Sequence, residues 1–196
     1  SVGIATIANG KVFIKKDQGK IDEVHRVLDL DDLPGSIGIG HTRWATHGAP
    51  LKVNSHPHTD CSGEIVVVHN GIIENFMELK SDLHNLGHTF VSKTDTEVMP
   101  HLIEETLKHN PKLTLEQAVM ESLRRVEGSY AFAIISTKEP DKIVCARNES
   151  PLVLGLNGKG VFCASDIPAF LEVTNKAVLI NNGELVVITA DGYRIK

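Results

Sequence analysis

Three short stretches of this chain carry side chains that could grip a small charged molecule. The first, HTRWATHGAP at 41–50, gathers Arg43, Trp44, Thr46 and His47 around one small loop. A guanidinium can take a carboxylate through two parallel hydrogen bonds, a geometry that suits arginine better than lysine. Arg43 could equally pair with a surface carboxylate, and Trp44, the single tryptophan, could equally be packed core. The second stretch, VVVHNGII at 66–73, sets Asn70 and Gly71 directly after an apolar run. Asn-Gly is a strong hairpin-turn signal. The same pair can also form an oxyanion hole, because an amide side chain and a backbone N–H can converge on a developing alkoxide and glycine permits close approach. The third stretch, KTDTEV at 93–98, puts Asp95 immediately before a predicted helix. There it is either an N-cap or a receiver for an ammonium group.

Other residues offer weaker chemistry. His56 and His58 are two apart, as metal ligands on a strand can be, but Pro57 lies between them and Asp60 is the one nearby carboxylate. That argues against a metal site. Cys61, Cys145 and Cys163 are odd in number and widely spaced, with no C-x-x-C pair. Reduced thiols buried as structural residues fit this better than a disulfide frame or a zinc site. No metal and no cofactor is expected. The remaining combination is an arginine for a carboxylate, an aspartate for an ammonium and an amide pair for an oxyanion. It describes a cradle for an amino acid with a side-chain acyl group, and glutamine fits.

The elements that must position these residues can be read from periodicity. Strands are expected at 2–7, 11–16, 36–41, 64–69, 129–136, 142–147, 151–156, 160–165, 177–180 and 183–189, many bounded by Gly, Asn, Pro or Asp. Asn9-Gly10 and Asn157-Gly158 suit hairpin tips. Helices are expected at 21–30, 75–87, 95–109 and 114–128. Pro100 then falls in a first turn, where a missing N–H costs little, and Thr114 three residues before Gln117 forms a capping-box pattern. Strands, then helices, then strands again point to α+β layers and not to alternating βαβ units. The longest stretch without regular structure runs from about Thr42 to Gly63, and such a loop inside a compact domain is usually functional.

Composition narrows the partners. The chain has 196 residues, a single-domain length, with a net charge of −5 and 41 % hydrophobic residues. It presents no basic field for a nucleic acid, no apolar run of the roughly 20 residues that span a bilayer, and no signal-peptide pattern. The reading is a cytoplasmic protein with neither nucleic acid nor membrane as partner.

GHTRWATHGAP, NSHPH, VVVHNGIIENF, SKTDTEV, GSYAF and the ARNESPLVLGL and FCASD segments resemble, in this order along the whole chain, type 2 glutamine amidotransferase (glutaminase) domains of the glucosamine-6-phosphate synthase kind. Trp44, Ala45, His56 and His58 favour that branch over the related phosphoribosylpyrophosphate amidotransferases. The resemblance implies an N-terminal-nucleophile fold, a four-layer αββα sandwich with two stacked antiparallel sheets. It implies that Arg43 binds the α-carboxylate of L-glutamine, with Thr46 and His47 shaping the same loop. Asp95 would hold the α-ammonium, Asn70 and Gly71 would form the oxyanion hole, and Trp44 would cap the site.

In such domains the nucleophile is a cysteine at the mature N-terminus, in a Cys-Gly-Ile start. Ser1-Val2-Gly3-Ile4-Ala5 resembles instead the family's second strand, so the first strand and helix are expected to be missing and residues 1–196 to be an N-terminally truncated glutaminase domain. Ser1 is expected to lie away from the site, and the chain alone to lack glutaminase activity. Sugar-isomerase domains binding fructose 6-phosphate would follow, and homo-oligomerisation is left open. A non-catalytic module that binds glutamine or mediates assembly is the alternative.

Overall fold

The computed structural model describes residues 1–44 and 51–196. Its centre is a six-stranded antiparallel sheet in the order β12-β11-β7-β6-β5-β4. The long strands are β5 (Ile65–Ile73), β6 (Gly128–Ser136), β7 (Lys142–Asn148) and β11 (Leu185–Thr189), with short β4 (His58–Thr59) and β12 (Gly192–Ile195) at the edges. β5 reads as a continuous apolar run because both of its faces are covered. Ile65 and Val67 point to one face with Phe132, Ile134, Val144 and Val187. Val66 and Val68 point to the other with Ile135.

The first face packs on α2 (Phe76–Asn85), α3 (Val98–His109) and α4 (Leu115–Leu123), which contribute Leu79, Leu83, Leu102, Ile103 and Val119. Each such side chain, fully buried, stabilises the fold by about 1.5–3 kcal/mol relative to exposure. The second face carries two three-stranded sheets side by side. One has the order β2-β1-β3, from β1 (Val2–Ala8), β2 (Lys11–Asp17) and β3 (Ile37–Thr42), and packs through Ala5, Ile7 and Ile39. The other has the order β10-β8-β9, from β8 (Val153–Leu156), β9 (Val161–Ala164) and β10 (Ala177–Leu179), and packs through Leu154 with Leu152 and Ile180. Outside the first of these, α1 (Ile21–Leu28) closes over Val2 with Val24 and Leu30. Helices, sheet, sheets and helix make the expected αββα sandwich.

Local signals fix several boundaries. Thr114 Oγ1 accepts from the N–H of Gln117 at 3.4 Å, and Gln117 Oε1 accepts from the N–H of Thr114 at 2.9 Å, so the capping box starts α4 as its spacing requires. Asn9 and Gly10 take φ of 51° and 70° between β1 and β2, the left-handed pair a tight hairpin needs. Pro100 is the third residue of α3, where its ring meets no preceding turn.

Two sequence readings are corrected. Asn70-Gly71 is no hairpin turn, because β5 runs straight through it, paired with Ala131 and Tyr130 of β6. Asp95 is no N-cap, because α3 begins at Val98 with Glu97 in the cap position. β12, which follows a turn at Ala190-Asp191, lies beyond the last expected strand.

Candidate functional site

Arg43 directly follows β3 and is 8 % exposed, so its side chain is buried and not spread on the surface. Burial lowers the pKa of its guanidinium, and Asp95 acts in the opposite sense by favouring the charged form. The two residues are therefore electrostatic neighbours although 52 positions separate them along the chain. Asp95 is 5 % exposed. Its Oδ2 accepts from the backbone N–H of Ile73 at 2.9 Å and lies 3.9 Å from His69 Nδ1. The strand that carries Asn70 thus also fixes Asp95.

Asn70 and Gly71 lie on β5, beneath β3. His41 Nε2 is 2.8 Å from Asn70 Oδ1. An amide oxygen only accepts, so His41 Nε2 carries the proton. This contact holds the carbonyl end of the amide and turns the Nδ2 amino group away from His41. Gly71 has φ +126°, and a Cβ there would sit 2.2 Å from the carbonyl oxygen of Ser129, so no other residue fits. Asn70 and His41 also line a cavity of about 550 Å³ between β3 and β9, whose walls include Ile4, Ile39, Val68 and Phe162. Arg43 and Asp95 are not part of that wall.

Behind these residues sits a group of imidazoles to which sequence reasoning gave no positioning role. His41 and His56 stack at 4.2 Å, and His56 and His58 meet edge-on at 5.0 Å. Each ring below is tied to a threonine that flanks Asp95. His58 Nε2 is 3.1 Å from Thr94 Oγ1, while His56 Nε2 and His69 Nδ1 are 3.3 Å and 3.0 Å from Thr96 Oγ1. The backbone is thereby fixed on both sides of the aspartate.

Burial keeps these rings neutral. It pushes His58 down to about 3, helped by the charges of Lys16 and Arg43 and opposed by Glu97. It pushes His69 down to about 4 against the opposing pull of Asp95. His56 is also well below its ordinary value, and His41 is lowered, in both cases chiefly by burial. The signal that could have found them is the HPH motif read together with T-D-T, two alternations in register.

The loop carrying His56 is held by Lys16, whose Nζ donates to the carbonyls of Ser55 and Pro57, each at 2.8 Å. Gly3 lets it approach β1, since a Cβ there would lie 2.0 Å from the His56 carbonyl oxygen.

The remaining sequence readings divide. Trp44 is 90 % exposed and packs in no core. Thr46 and His47 lie outside the described residues. Ser1 is not remote from this region: Arg43 N–H donates to the Ser1 carbonyl at 2.8 Å, and the Ser1 amino group donates to the Arg43 carbonyl at 3.2 Å. This is strand pairing continued by one residue beyond the β1–β3 register. Cys145 is buried and Cys163 half-buried between the central sheet and β8, as expected of structural thiols. Cys61 is exposed, contrary to that expectation, because it sits in the turn between β4 and β5.

Comparison with known proteins gives the family. Over 196 residues the chain is 54 % identical to the glutamine–fructose-6-phosphate aminotransferase (isomerizing) of Pyrococcus horikoshii, matching 100 % of this chain and 32 % of that protein. It is also 54 % identical over 191 residues to the enzyme of the same name from Methanothermobacter thermautotrophicus, matching 97 % of this chain and 32 % of that protein. The chain therefore spans about a third of the length of these relatives. Among solved structures, glutamine phosphoribosylpyrophosphate amidotransferase from B. subtilis, in complex with ADP and GMP, superposes with a TM-score of 0.83 at 30 % identity, over 100 % of this chain and 42 % of that one. Residues 41–172, well over half of the chain, match the glutamine amidotransferase domain, and the chain belongs to that family.

Proposed function

We propose that this domain is the glutaminase unit of a glutamine–fructose-6-phosphate aminotransferase. In this reading it acts in the cytoplasm and releases ammonia from L-glutamine, which sugar-isomerase domains of the same enzyme transfer to fructose 6-phosphate. The 54 % identity to two enzymes of that name, against 30 % to the phosphoribosylpyrophosphate enzyme, supports this branch.

The observation that carries the reading is that buried Asp95, held by the N–H of Ile73 on the strand that carries Asn70, lies near enough to buried Arg43 to favour its charged form. A free amino acid is a zwitterion, and two buried groups of opposite charge that feel one another are its complement. Arg43 takes the α-carboxylate. Asp95 spends one lone pair on Ile73 and, as a carboxylate with about four acceptor sites, keeps capacity for the α-ammonium. The side-chain carboxamide then extends towards Asn70, whose Nδ2 group and the Gly71 N–H stabilise the oxyanion. Trp44, exposed beside this region, folds over the bound ligand, and Thr46 and His47 shape the loop that carries it.

The reaction needs a nucleophile. A thiolate adds to the carboxamide carbon, the C–N bond breaks, and ammonia leaves with a proton. Water then cleaves the thioester, releasing glutamate and restoring the thiol. We assign that thiol to a cysteine outside residues 1–196, because Cys145 and Cys163 pack in the core, Cys61 Sγ is turned to His88 and His101, and the Ser1 amino group is engaged with the Arg43 carbonyl. A glutaminase assay on residues 1–196 alone, beside the full-length enzyme, tests this. The expected result is no appreciable turnover by the fragment. A rate comparable with the complete enzyme contradicts the assignment, and Ser1→Ala then becomes the next variant.

A further inference from the structure

A second group of side chains, unused by the reaction above, converges on the far side of Glu97. Cys61 comes from the turn between β4 and β5, His88 from the segment after α2, and His101 and Glu104 from successive turns of α3. One ligand atom from each lies within 4.8 Å of all the others. Cys61 Sγ is 3.7 Å from His88 Nδ1 and 3.5 Å from His101 Nδ1, and the two Nδ1 atoms are 3.3 Å apart. Glu104 Oε2 is 3.1 Å from His88 Nδ1 and 3.5 Å from His101 Nδ1. We propose that Cys61, His88, His101 and Glu104 form a structural zinc site.

Five of the six spacings are those of a tetrahedron. Zinc bonds of about 2.0–2.1 Å to nitrogen, about 2.0–2.2 Å to oxygen and about 2.3 Å to sulfur set the edges at about 3.3 Å for N···N, about 3.4 Å for N···O and about 3.6 Å for N···S. The five separations given above fall around these values, and the remaining edge, Cys61 to Glu104, lies within 4.8 Å. Two anions and two neutral imidazoles also balance a divalent cation. Mixed thiolate, imidazole and carboxylate donors suit zinc, whereas magnesium and calcium require oxygen alone.

The surroundings match a metal site in its second layer. His88 Nε2 is 2.9 Å from Glu105 Oε2, and His101 Nε2 faces Glu97 Oε1 at 3.9 Å, so each imidazole has a carboxylate on the side away from the convergence point. The N–H of Thr89 donates to Cys61 Sγ at 3.5 Å, as suits a thiolate, and Lys108 Nζ pairs with the other oxygen of Glu104 at 3.0 Å. The two histidines are buried and Cys61 is exposed, which leaves the ion a way in. Bound metal would tie three segments distant in sequence, one of them the helix whose N-terminus follows Asp95.

Cobalt(II) titration of the metal-free protein, followed by zinc competition, tests the site. The expected spectrum has a thiolate-to-cobalt charge-transfer band and intense tetrahedral d–d bands, saturating at about one ion per chain. Cys61→Ser removes the charge-transfer band. Glu105→Gln, which leaves all four ligands intact, weakens binding about tenfold to a hundredfold. Circular dichroism of the metal-free variants separates lost binding from lost folding, and Glu105→Gln decides the matter should Cys61→Ser not fold. A weak octahedral cobalt spectrum, or wild-type zinc affinity in either folded variant, overturns the proposal.

Discussion

Two groups of histidines stand on either side of Glu97, and they are built for different work. On one side His41, His56, His58 and His69 meet hydroxyls, an amide and, between His41 and His56, stacked ring faces, with a single carboxylate, Asp95, 3.9 Å from His69. On the other, His88 and His101 meet carboxylates and a thiol that converge on one point. Glu97 serves both, favouring the charged form of His58 and facing His101, while its own carboxyl is held at about 2. Burial would raise that carboxyl, but His101, Ser92 and the N–H of Val91 outweigh it. The partners, not the residue type, decide what a buried histidine does. Paired with hydroxyls it is a neutral spacer that fixes Asp95 and Asn70; ringed by anions it is a ligand.

Acid should break the first group with the largest effect. An imidazole held neutral in the folded state takes its proton near 6.5 once unfolded. Stability from His58 and His69 is thus complete above that pH and is lost as pH falls towards about 3 and about 4 respectively. From pH 7 to pH 5 the two together should remove roughly 4 kcal/mol. Urea unfolding in the presence of chelator, at both pH values, checks this, and a flat profile would show that these rings are not neutral in the fold.

The catalytic variants sharpen the comparison in the complete enzyme. Asn70→Ala should lower kcat by about 100- to 1,000-fold, about 2.7–4 kcal/mol, with little change in the glutamine KM. Normal turnover would remove Asn70 from the oxyanion hole. Arg43→Ala should instead raise the glutamine KM, with a loss of about 1.5–3 kcal/mol for one charged hydrogen-bond partner. An unchanged KM would refute its role. The smallest effect is expected for His41→Phe, which keeps an aromatic ring against His56 but removes the bond to Asn70. It should lower kcat about tenfold, about 1.4 kcal/mol, and leave KM alone. A KM effect without a kcat effect would show that His41 serves binding and not the amide.

The layers were legible in the sequence because they rest on periodicity. The apolar runs of β6 and β11, the capping box at Thr114 and the Asn9-Gly10 hairpin all act over a few residues, and each stands where its pattern requires. Asn70-Gly71 was open to two readings because a turn signal is local, whereas the pairing with β6 that keeps β5 straight comes from about 60 residues further on. Asp95 misled as a cap for the same reason: its partner, the Ile73 N–H, lies on another strand.

The histidine groups were harder still. His41, the His56–His58 pair and His69 come from three places, and only folding shows that Thr94 and Thr96 receive three of these rings. Cys61 pairs with no nearby cysteine in sequence, so cysteine spacing said nothing of His88 and His101, which lie 27 and 40 residues away.

The central claim is that Arg43, Asp95 and Asn70 form one cradle for a single amino acid. A crystal structure with L-glutamate, the product, tests it most directly. The account predicts the α-carboxylate on Arg43, the α-ammonium on Asp95, and a side-chain carboxylate oxygen on the Asn70 amide. Glutamate bound elsewhere, or bound with its α-carboxylate away from Arg43, would contradict it.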